Sequence, residues 1–234
     1  KLTCIGPSFG INIYTKHQLF ILGISNFIKA RKRIHNVKRF FSNYKALLGR
    51  LSYNYYTIKK PRTNYIYFMA SIWKNEKETN NFRLNFIKAC QAIKGVDFEG
   101  GFAPRSNGDN LGYDNFVTNS RISLKEYVNK IKDSEVVFNT PAVLHCHGWK
   151  LAEFLALGKV IISTPISRAL PEDLVDKKNL LVTDGTQYDI ELKIKEMISN
   201  PVLSDELSFQ ARKYFDTYLS PKSVCQIIVD SVNK

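Results

Sequence analysis

The pattern of apolar and polar positions is most informative in residues 136–164. The apolar run Val136–Phe138 predicts a buried strand, and a polar loop that contains glycine follows it. The next apolar residues are spaced as on one face of a helix from about Trp149 to Leu157, which Gly158 ends. Val160–Ile162 predicts a second buried strand. Strand, helix and strand so close together form a βαβ unit, whose two strands must run parallel.

Strands and helices alternate over the rest of the C-terminal part of the chain, which predicts a doubly wound, Rossmann-like parallel sheet of the α/β class. The other predicted strands are Tyr65–Ile72, Val96–Phe98 and Leu180–Val182, and the other predicted helices are Asn80–Ile93, Ser123–Ile131, Ile190–Ile198 and Glu206–Tyr218. The strand at Val96–Phe98 is expected to end in Glu99-Gly100-Gly101, because a glycine pair is typical of a turn. Ser123 is a predicted N-cap, with Glu126 three residues later.

The N-terminal part of the chain has a different pattern. Residues 17–51 have helical spacing of apolar residues, and residues 52–64 predict a linker. We therefore expect a partial, helical N-terminal domain at residues 1–62 and a Rossmann-like domain at residues 63–234. Because the first residue is lysine, we also expect the chain to be a fragment, with one whole domain and the end of another.

The loop 145–150 is the first candidate for a ligand site. In open α/β sheets ligands bind beyond the carboxyl ends of the strands, and free N–H groups at a helix N-terminus favour phosphate. Lys150 and Glu153 share a face near the start of the predicted helix. The lysine can meet a phosphate, and the glutamate can accept hydrogen bonds from a vicinal diol such as a ribose. The alternative is an ordinary crossover helix with two charged residues at its solvent-exposed edge.

The same segment resembles the donor-binding signature of the retaining glycosyltransferases with the GT-B fold, which have two Rossmann-like domains. Glu153 matches the second of two glutamates that the family places eight positions apart, and residues 155–163 match the stretch that follows. His145 stands where the family has its first glutamate. The similarity continues in residues 170–174, 179–182 and 189–201, and it covers roughly residues 64–234.

The resemblance implies a glycosyltransferase that moves a sugar from a UDP- or GDP-sugar to a glycan or lipid-linked acceptor, with retention, in the synthesis of cell-surface polysaccharide. It implies neither a cofactor nor a metal, because the family meets its donor phosphates with basic side chains and a helix dipole. Glu153 would hold the ribose. Lys150 would compensate charge as the sugar–phosphate bond breaks, and His145, at the position that lies against the donor sugar, is the second catalytic candidate.

Further positions are candidates for donor binding. His147, beside Gly148, is a candidate hydrogen-bond donor to the phosphate or the sugar. The family clamps the diphosphate with an arginine and a lysine five positions apart, but here an isoleucine precedes Lys77 by five, so Lys74, Lys77 or Arg83 would substitute. Gly101 is a candidate for the base pocket. The alternatives are ordinary surface charges and an ordinary turn. His145-Cys146-His147 has no partner pair for a metal.

The formal charge of +13 is confined to the N-terminal quarter of the chain. Residues 1–62 hold 13 Lys and Arg and no acidic residue, whereas residues 63–234 hold 21 basic and 21 acidic side chains. Apolar residues interleave with a basic cluster, whose members are Arg31, Lys32, Arg33, Lys38 and Arg39. This pattern favours contact with an anionic membrane surface. Nucleic acid, which no motif supports, and a merely solvated face are the alternatives.

Four scattered cysteines without a CxxC pair favour reduced thiols and a cytoplasmic protein. The basic cluster would place it peripherally at the inner membrane face. Two other functions stay open on the residues alone. One is a non-enzymatic basic module that docks on membrane or nucleic acid through residues 16–50. The other is a nucleotide-sugar epimerase of the same two-domain architecture.

Overall fold

The computed structural model describes residues 3–7 and 10–232, which form two compact units. Residues 10–56 form the smaller unit, and residues 3–7 with residues 57–232 form the larger one. Within the described residues, no helix is both long and apolar enough to cross a membrane.

The larger unit is built on five parallel strands. They are β1 (Tyr65–Ser71), β2 (Asp97–Ala103), β3 (Val136–Asn139), β4 (Val160–Ser163) and β5 (Leu181–Val182). β2 pairs with β1, and β3, β4 and β5 form one ladder in that order. Ser134 joins the two groups of strands, because its Oγ accepts a hydrogen bond from Tyr67 N at 2.9 Å and donates one to Val136 O at 2.6 Å. The strand order is therefore β2-β1-β3-β4-β5.

Helices connect the strands and cover the sheet. The smaller unit contains helices α1 (Lys16–Ala30) and α2 (Val37–Leu48). The larger unit contains helices α3 (Lys77–Ala92), α4 (Leu124–Asp133), α5 (Trp149–Ala156), α6 (Gln187–Ser199), α7 (Pro201–Tyr214) and α8 (Pro221–Val232). Aromatic rings fix helix α3 against the sheet: Phe86 stacks on Phe138 with ring centroids 4.5 Å apart and planes at 7°. The predicted βαβ unit is confirmed, because β3 and β4 are parallel and α5 connects them. Ser123 caps α4 as predicted, its side chain accepting from Glu126 N at 3.2 Å.

The prediction that the second strand ends at Gly100-Gly101 is wrong. β2 continues to Ala103, and the two glycines pair with Phe68 and Met69 of β1. A Cβ atom on Gly100 would lie 1.8 Å from Phe68 O, and one on Gly101 would lie 2.4 Å from Phe116 O. The glycines are therefore required inside the strand by the close approach of neighbouring backbone.

The closing helices also differ from the prediction. The helix expected at Glu206–Tyr218 begins earlier, at Pro201, because Asn200 caps it by accepting from Leu203 N at 3.1 Å and proline fits the first turn. This helix ends at Tyr214 and is followed by one wide, π-helical turn at Phe215–Leu219. The last helix, α8, was not predicted.

The smaller unit is a helical hairpin rather than one long helix. Asn36 caps α2 by accepting a hydrogen bond from Arg39 N at 2.8 Å, so the helical pattern of residues 17–51 is interrupted after Ala30. The two helices pack through Gly23, which lies against the ring of Tyr44, and Asn26 Nδ2 donates to the Tyr44 hydroxyl at 2.9 Å. The basic cluster therefore spans a turn and the start of α2 and is not one continuous amphipathic helix.

Candidate functional site

A cleft opens at the carboxyl ends of β1 and β3, where an open α/β sheet binds its ligands. We call it the central cleft, and it is lined by Phe68, Ala70, Ser71, Trp73, Arg83, Phe138, Asn139, Thr140, Ala142, Gly148, Trp149 and Lys150. Strand ends form its floor, the first turn of α5 forms one wall, and α3 contributes a buried cation to another.

The first turn of α5 presents backbone N–H groups to the central cleft. Gly148 is the N-cap residue, and no side chain among the residues that the structure describes caps the helix. The first N–H groups of a helix have no partner within the helix, and they carry the positive end of its dipole. This wall of the cleft is therefore suited to an anion.

Lys150 places a partly buried amino group at the same point. Its Nζ donates a hydrogen bond to Met69 O and lies 5.2 Å from the centroid of the Tyr127 ring. Burial, with a smaller contribution from the nearby Arg83 cation, lowers the pKa of Lys150 to about 7, and Glu153 partly opposes that shift. Near neutral pH the amine is therefore divided between its charged and neutral forms.

Arg83 is 8% exposed and ties the ends of the two strands together. Its Nε donates to Thr140 Oγ1 at 3.0 Å, and its Nη1 donates to Ser71 O at 2.7 Å. Burial lowers its pKa to about 10, against the opposing effect of Glu76. The guanidinium stays charged at neutral pH, so the central cleft holds one permanent cation and one titratable one.

Glu153 lies deeper than its predicted role requires. Its side chain is 2% exposed, and the residue lies outside the set that lines the central cleft. Its carboxylate acts on the cleft through Lys150, whose charged form it stabilises. Contact between Glu153 and a ribose stays a prediction.

The histidines lie on the loop between β3 and α5. His145 is exposed, with a left-handed backbone at φ 58°. Arg168 Nη2 donates to Leu144 O at 2.8 Å, and Leu144 N donates to Glu76 Oε1 at 3.1 Å, so neighbouring loops hold this segment. His147 Nε2 lies 3.1 Å from Ala169 O. The loop thus presents His145 outward while it engages His147 with the segment after β4.

The structure therefore brings together only some of the predicted donor-binding residues. Arg83, Gly148 and Lys150 meet in the central cleft. Lys77 is exposed at the first residue of α3, outside the lining set, and Gly101 is covered by the backbone of Phe116. Their roles stay predictions, although Gly101 now has a packing explanation.

Several cleft residues were not predicted. Trp149 is 57% exposed and lines the central cleft. A second cleft lies on the other side of Lys150 and includes Met69, Arg121 and Tyr127. The position of Trp149 at the start of a helix is the sequence signal that could have found it, since an exposed aromatic there offers a surface for stacking.

Among residues 3–7 and 10–232, no three His, Cys, Asp or Glu side chains are grouped as a metal would need. Independence of metal stays a prediction.

Solved structures provide the comparison, because the sequence matches no family model and no curated protein. HepE from Anabaena, in complex with UDP, aligns with a TM-score of 0.55 at 14% identity over 94% of this chain and 77% of HepE. TarM aligns with a TM-score of 0.54 at 14% identity, over 76% of this chain and 36% of TarM. The C-terminal domain of LpcC, a glycosyl transferase group 1 family protein from Francisella tularensis, aligns with a TM-score of 0.50 at 15% identity, over 72% of this chain and 98% of that domain.

The larger unit has the fold of the C-terminal domain of GT-B glycosyltransferases. The predicted resemblance and the Rossmann-like α/β class are confirmed, and the larger unit corresponds to the C-terminal GT-B domain. At 14–15% identity this likeness concerns the fold alone. The chain spans little more than a third of the length of TarM.

Proposed function

We propose that this GT-B chain is the donor-binding part of a glycosyltransferase, which takes a sugar from a nucleoside diphosphate-sugar. One observation carries the proposal: Arg83, Lys150 and the N-terminus of α5 converge on one cleft at the carboxyl ends of parallel strands. Two cations and a helix dipole at one point match the charge of a diphosphate.

The diphosphate would lie across the first turn of α5 and accept hydrogen bonds from its N–H groups. Lys150 would turn from Met69 O to a phosphate oxygen, and Arg83 would contribute charge from the opposite wall. As the sugar–phosphate bond breaks, negative charge grows on the leaving diphosphate, and these groups are already in place to stabilise it. Removal of one such donor from a catalytic site typically slows a reaction about 10²–10³-fold.

The sugar would extend towards the loop that carries His145 and His147. His145 is exposed there and stands where the resembled family has a glutamate against the donor sugar. Glu153 would fix the ribose after a change in the packing that now covers it. Lys77 would approach the diphosphate from the start of α3, and Gly101 would border the base.

The structural neighbours support a UDP-sugar as the donor. HepE structures contain UDP or UDP-glucose, and a structure of a mutant of S. aureus TarM contains UDP with alpha-GlcNAc-glycerol. We further propose transfer with retention, without a metal or cofactor, to a glycan or lipid-linked acceptor of cell-surface polysaccharide synthesis. A cytoplasmic location suits an enzyme that uses nucleotide-sugars.

Calorimetric titration of the full chain tests the proposal, with UDP, GDP, UDP-glucose and GDP-mannose as ligands. We expect saturable binding of a nucleoside diphosphate and its sugar, and about a tenfold or greater loss in Lys150→Met, as for loss of a hydrogen-bonded charged partner. Lys159→Met is the matched control, because this buried lysine lies before β4, at the opposite end of the sheet. Absence of binding to all four ligands, in protein that melts cooperatively, would refute the proposal.

A further inference from the structure

The helical hairpin of residues 10–56 has a surface for which the central cleft gives no explanation. This unit contains nine Lys and Arg residues and no Asp or Glu. It also exposes large apolar side chains on α1. Because the cations and the exposed apolar side chains occur on the same pair of helices, we infer one partner that contacts both.

The apolar side chains form a row along α1. Phe20, Ile21, Ile24 and Ile28 are exposed to 66%, 53%, 40% and 60%. Their spacing of one, three and four residues places them on one helical face. The hairpin is held together by a different face, through Gly23, Asn26 and Phe27, which contact residues of α2. The apolar row is therefore free of the internal packing of the hairpin.

Cations follow the end of this row directly. The turn and the start of α2 carry the exposed residues Arg31, Lys32, Arg33, Lys38 and Arg39, and Lys29 is exposed in the last turn of α1. Ile28, the last member of the apolar row, is adjacent to Lys29. Along the chain, the cationic turn therefore begins where the apolar row on α1 ends.

We propose that this hairpin docks on an anionic lipid bilayer, with the α1 row in the acyl boundary and the cationic turn on the headgroups. Amphipathic helices bind membranes through buried apolar area together with attraction to anionic lipids, and this surface supplies both. The proposal is independent of the donor site, because no residue of the central cleft takes part in it.

Charge distinguishes an anionic bilayer from a second copy of the chain and from a nucleic acid. A second copy of the chain would place cationic turns near one another without any acidic residue from the hairpin to compensate. A nucleic acid would pair with the cations, but it would leave the row of isoleucines without an apolar partner. An anionic bilayer satisfies both parts of the surface at once.

Co-sedimentation of the full chain with vesicles tests the charge contribution. We expect binding to vesicles of phosphatidylcholine with about 30% phosphatidylglycerol, weakened as salt rises because exposed charges are screened. Each cation at an anionic surface accounts for about a fivefold change in the partition coefficient. Replacement of the five turn cations (Arg31, Lys32, Arg33, Lys38 and Arg39) by Ser should therefore reduce it at least about a hundredfold.

A matched control has the same change in net charge. It replaces five exposed lysines of the larger unit by Ser, at positions Lys94, Lys125, Lys177, Lys178 and Lys222. This variant should keep most of the binding. Equal losses in the two variants would mean that total charge, and not the hairpin, determines binding, and would overturn the proposal.

A second set of variants tests insertion of the apolar row. Phe20→Ser with Ile24→Ser and Ile28→Ser should weaken binding to anionic vesicles at least about tenfold, since each buried methylene contributes about fourfold. The control places Ser at Tyr188, Val202 and Phe209, which are exposed apolar residues of the larger unit. In Phe20→Trp, tryptophan emission should shift to shorter wavelength on anionic vesicles.

Three outcomes would overturn the proposal. They are equal binding to pure phosphatidylcholine, no binding to anionic vesicles at low salt, and tighter binding to RNA than to vesicles at the same salt. Circular dichroism melting of each variant separates loss of binding from loss of folding, because the changed side chains lie on exposed faces of the hairpin.

Discussion

Lys150 makes donor binding in the central cleft dependent on pH. Burial lowers the pKa of this lysine to about 7 in the free protein, from an ordinary value of 10.5. The charged groups that act on it are Arg83, which disfavours its cation, and Glu153, which favours it. A bound diphosphate would add negative charge beside the amine and raise its pKa. Binding above pH 7 must therefore take up a proton.

The size of the effect follows from the free pKa. If binding raises the pKa to at least about 9, uptake is about 0.1 proton at pH 6 and about 0.8 at pH 8. Affinity should be nearly constant below about pH 6, because the amine is then charged in both states. Between the free and the bound pKa, affinity should fall about tenfold for each pH unit.

The assay is calorimetry with UDP-glucose in pairs of buffers with different ionisation enthalpies, at pH 6, 7 and 8. UDP-glucose is preferable to UDP, because both of its phosphates are fully ionised over this range. Lys150→Met should bind more weakly at pH 6 and take up no proton at pH 8. Lys159→Met is the control, since Lys159 also has a pKa lowered by burial, to about 8, but donates to Lys132 O on the far side of the sheet.

Two results would refute the reasoning. One is binding of UDP-glucose without proton uptake at pH 8. The other is equal uptake in the wild type and in Lys150→Met, which would assign the proton to another group.

Three further predictions concern Glu153, metal and Gly101. Glu153→Ala should weaken binding of the nucleoside diphosphate by about 1–3 kcal/mol; unchanged calorimetric affinity in protein that melts cooperatively would reject its role in ribose binding. Donor binding should be equal with and without EDTA, and a loss on chelation that Mn²⁺ or Mg²⁺ restores would contradict this expectation. Gly101→Ala should destabilise the fold by more than about 2 kcal/mol, because its Cβ would meet Phe116 O at 2.4 Å in a left-handed backbone. Gly108→Ala, also left-handed but with nothing within 4 Å of its Cβ, should cost only about 1 kcal/mol in a urea melt, and equal losses would show that strain alone, without the clash, decides.

The larger unit was predictable because its strands and helices have clear periodicity. Val136–Phe138, the α5 helix and Val160–Ile162 are apolar at the spacing that their structures require, and the helical crossover between the two strands makes them parallel. Local signals also placed Ser123 at the cap of α4. The resemblance of residues 145–163 to glycosyltransferases pointed to the fold that the solved structures share.

Local signals failed where distant backbone decides the conformation. The glycines of β2 have the composition of a turn, but β1 and Phe116 approach so closely that only glycine fits within the strand. The helical spacing of residues 17–51 did not show where one helix ends and the next begins, which the Asn36 cap decides, nor that α2 folds back onto α1.

The site depended on tertiary structure even more strongly. The sequence by itself determined that Lys150 and Glu153 share one face of α5, but not which of them meets solvent. Packing buries Glu153, brings Arg83 from α3 to the ends of two strands, and turns the Lys150 amine onto Met69 O. The pKa of Lys150 is a property of that packing, because loss of water around the amine is its main cause, and only the folded chain removes that water.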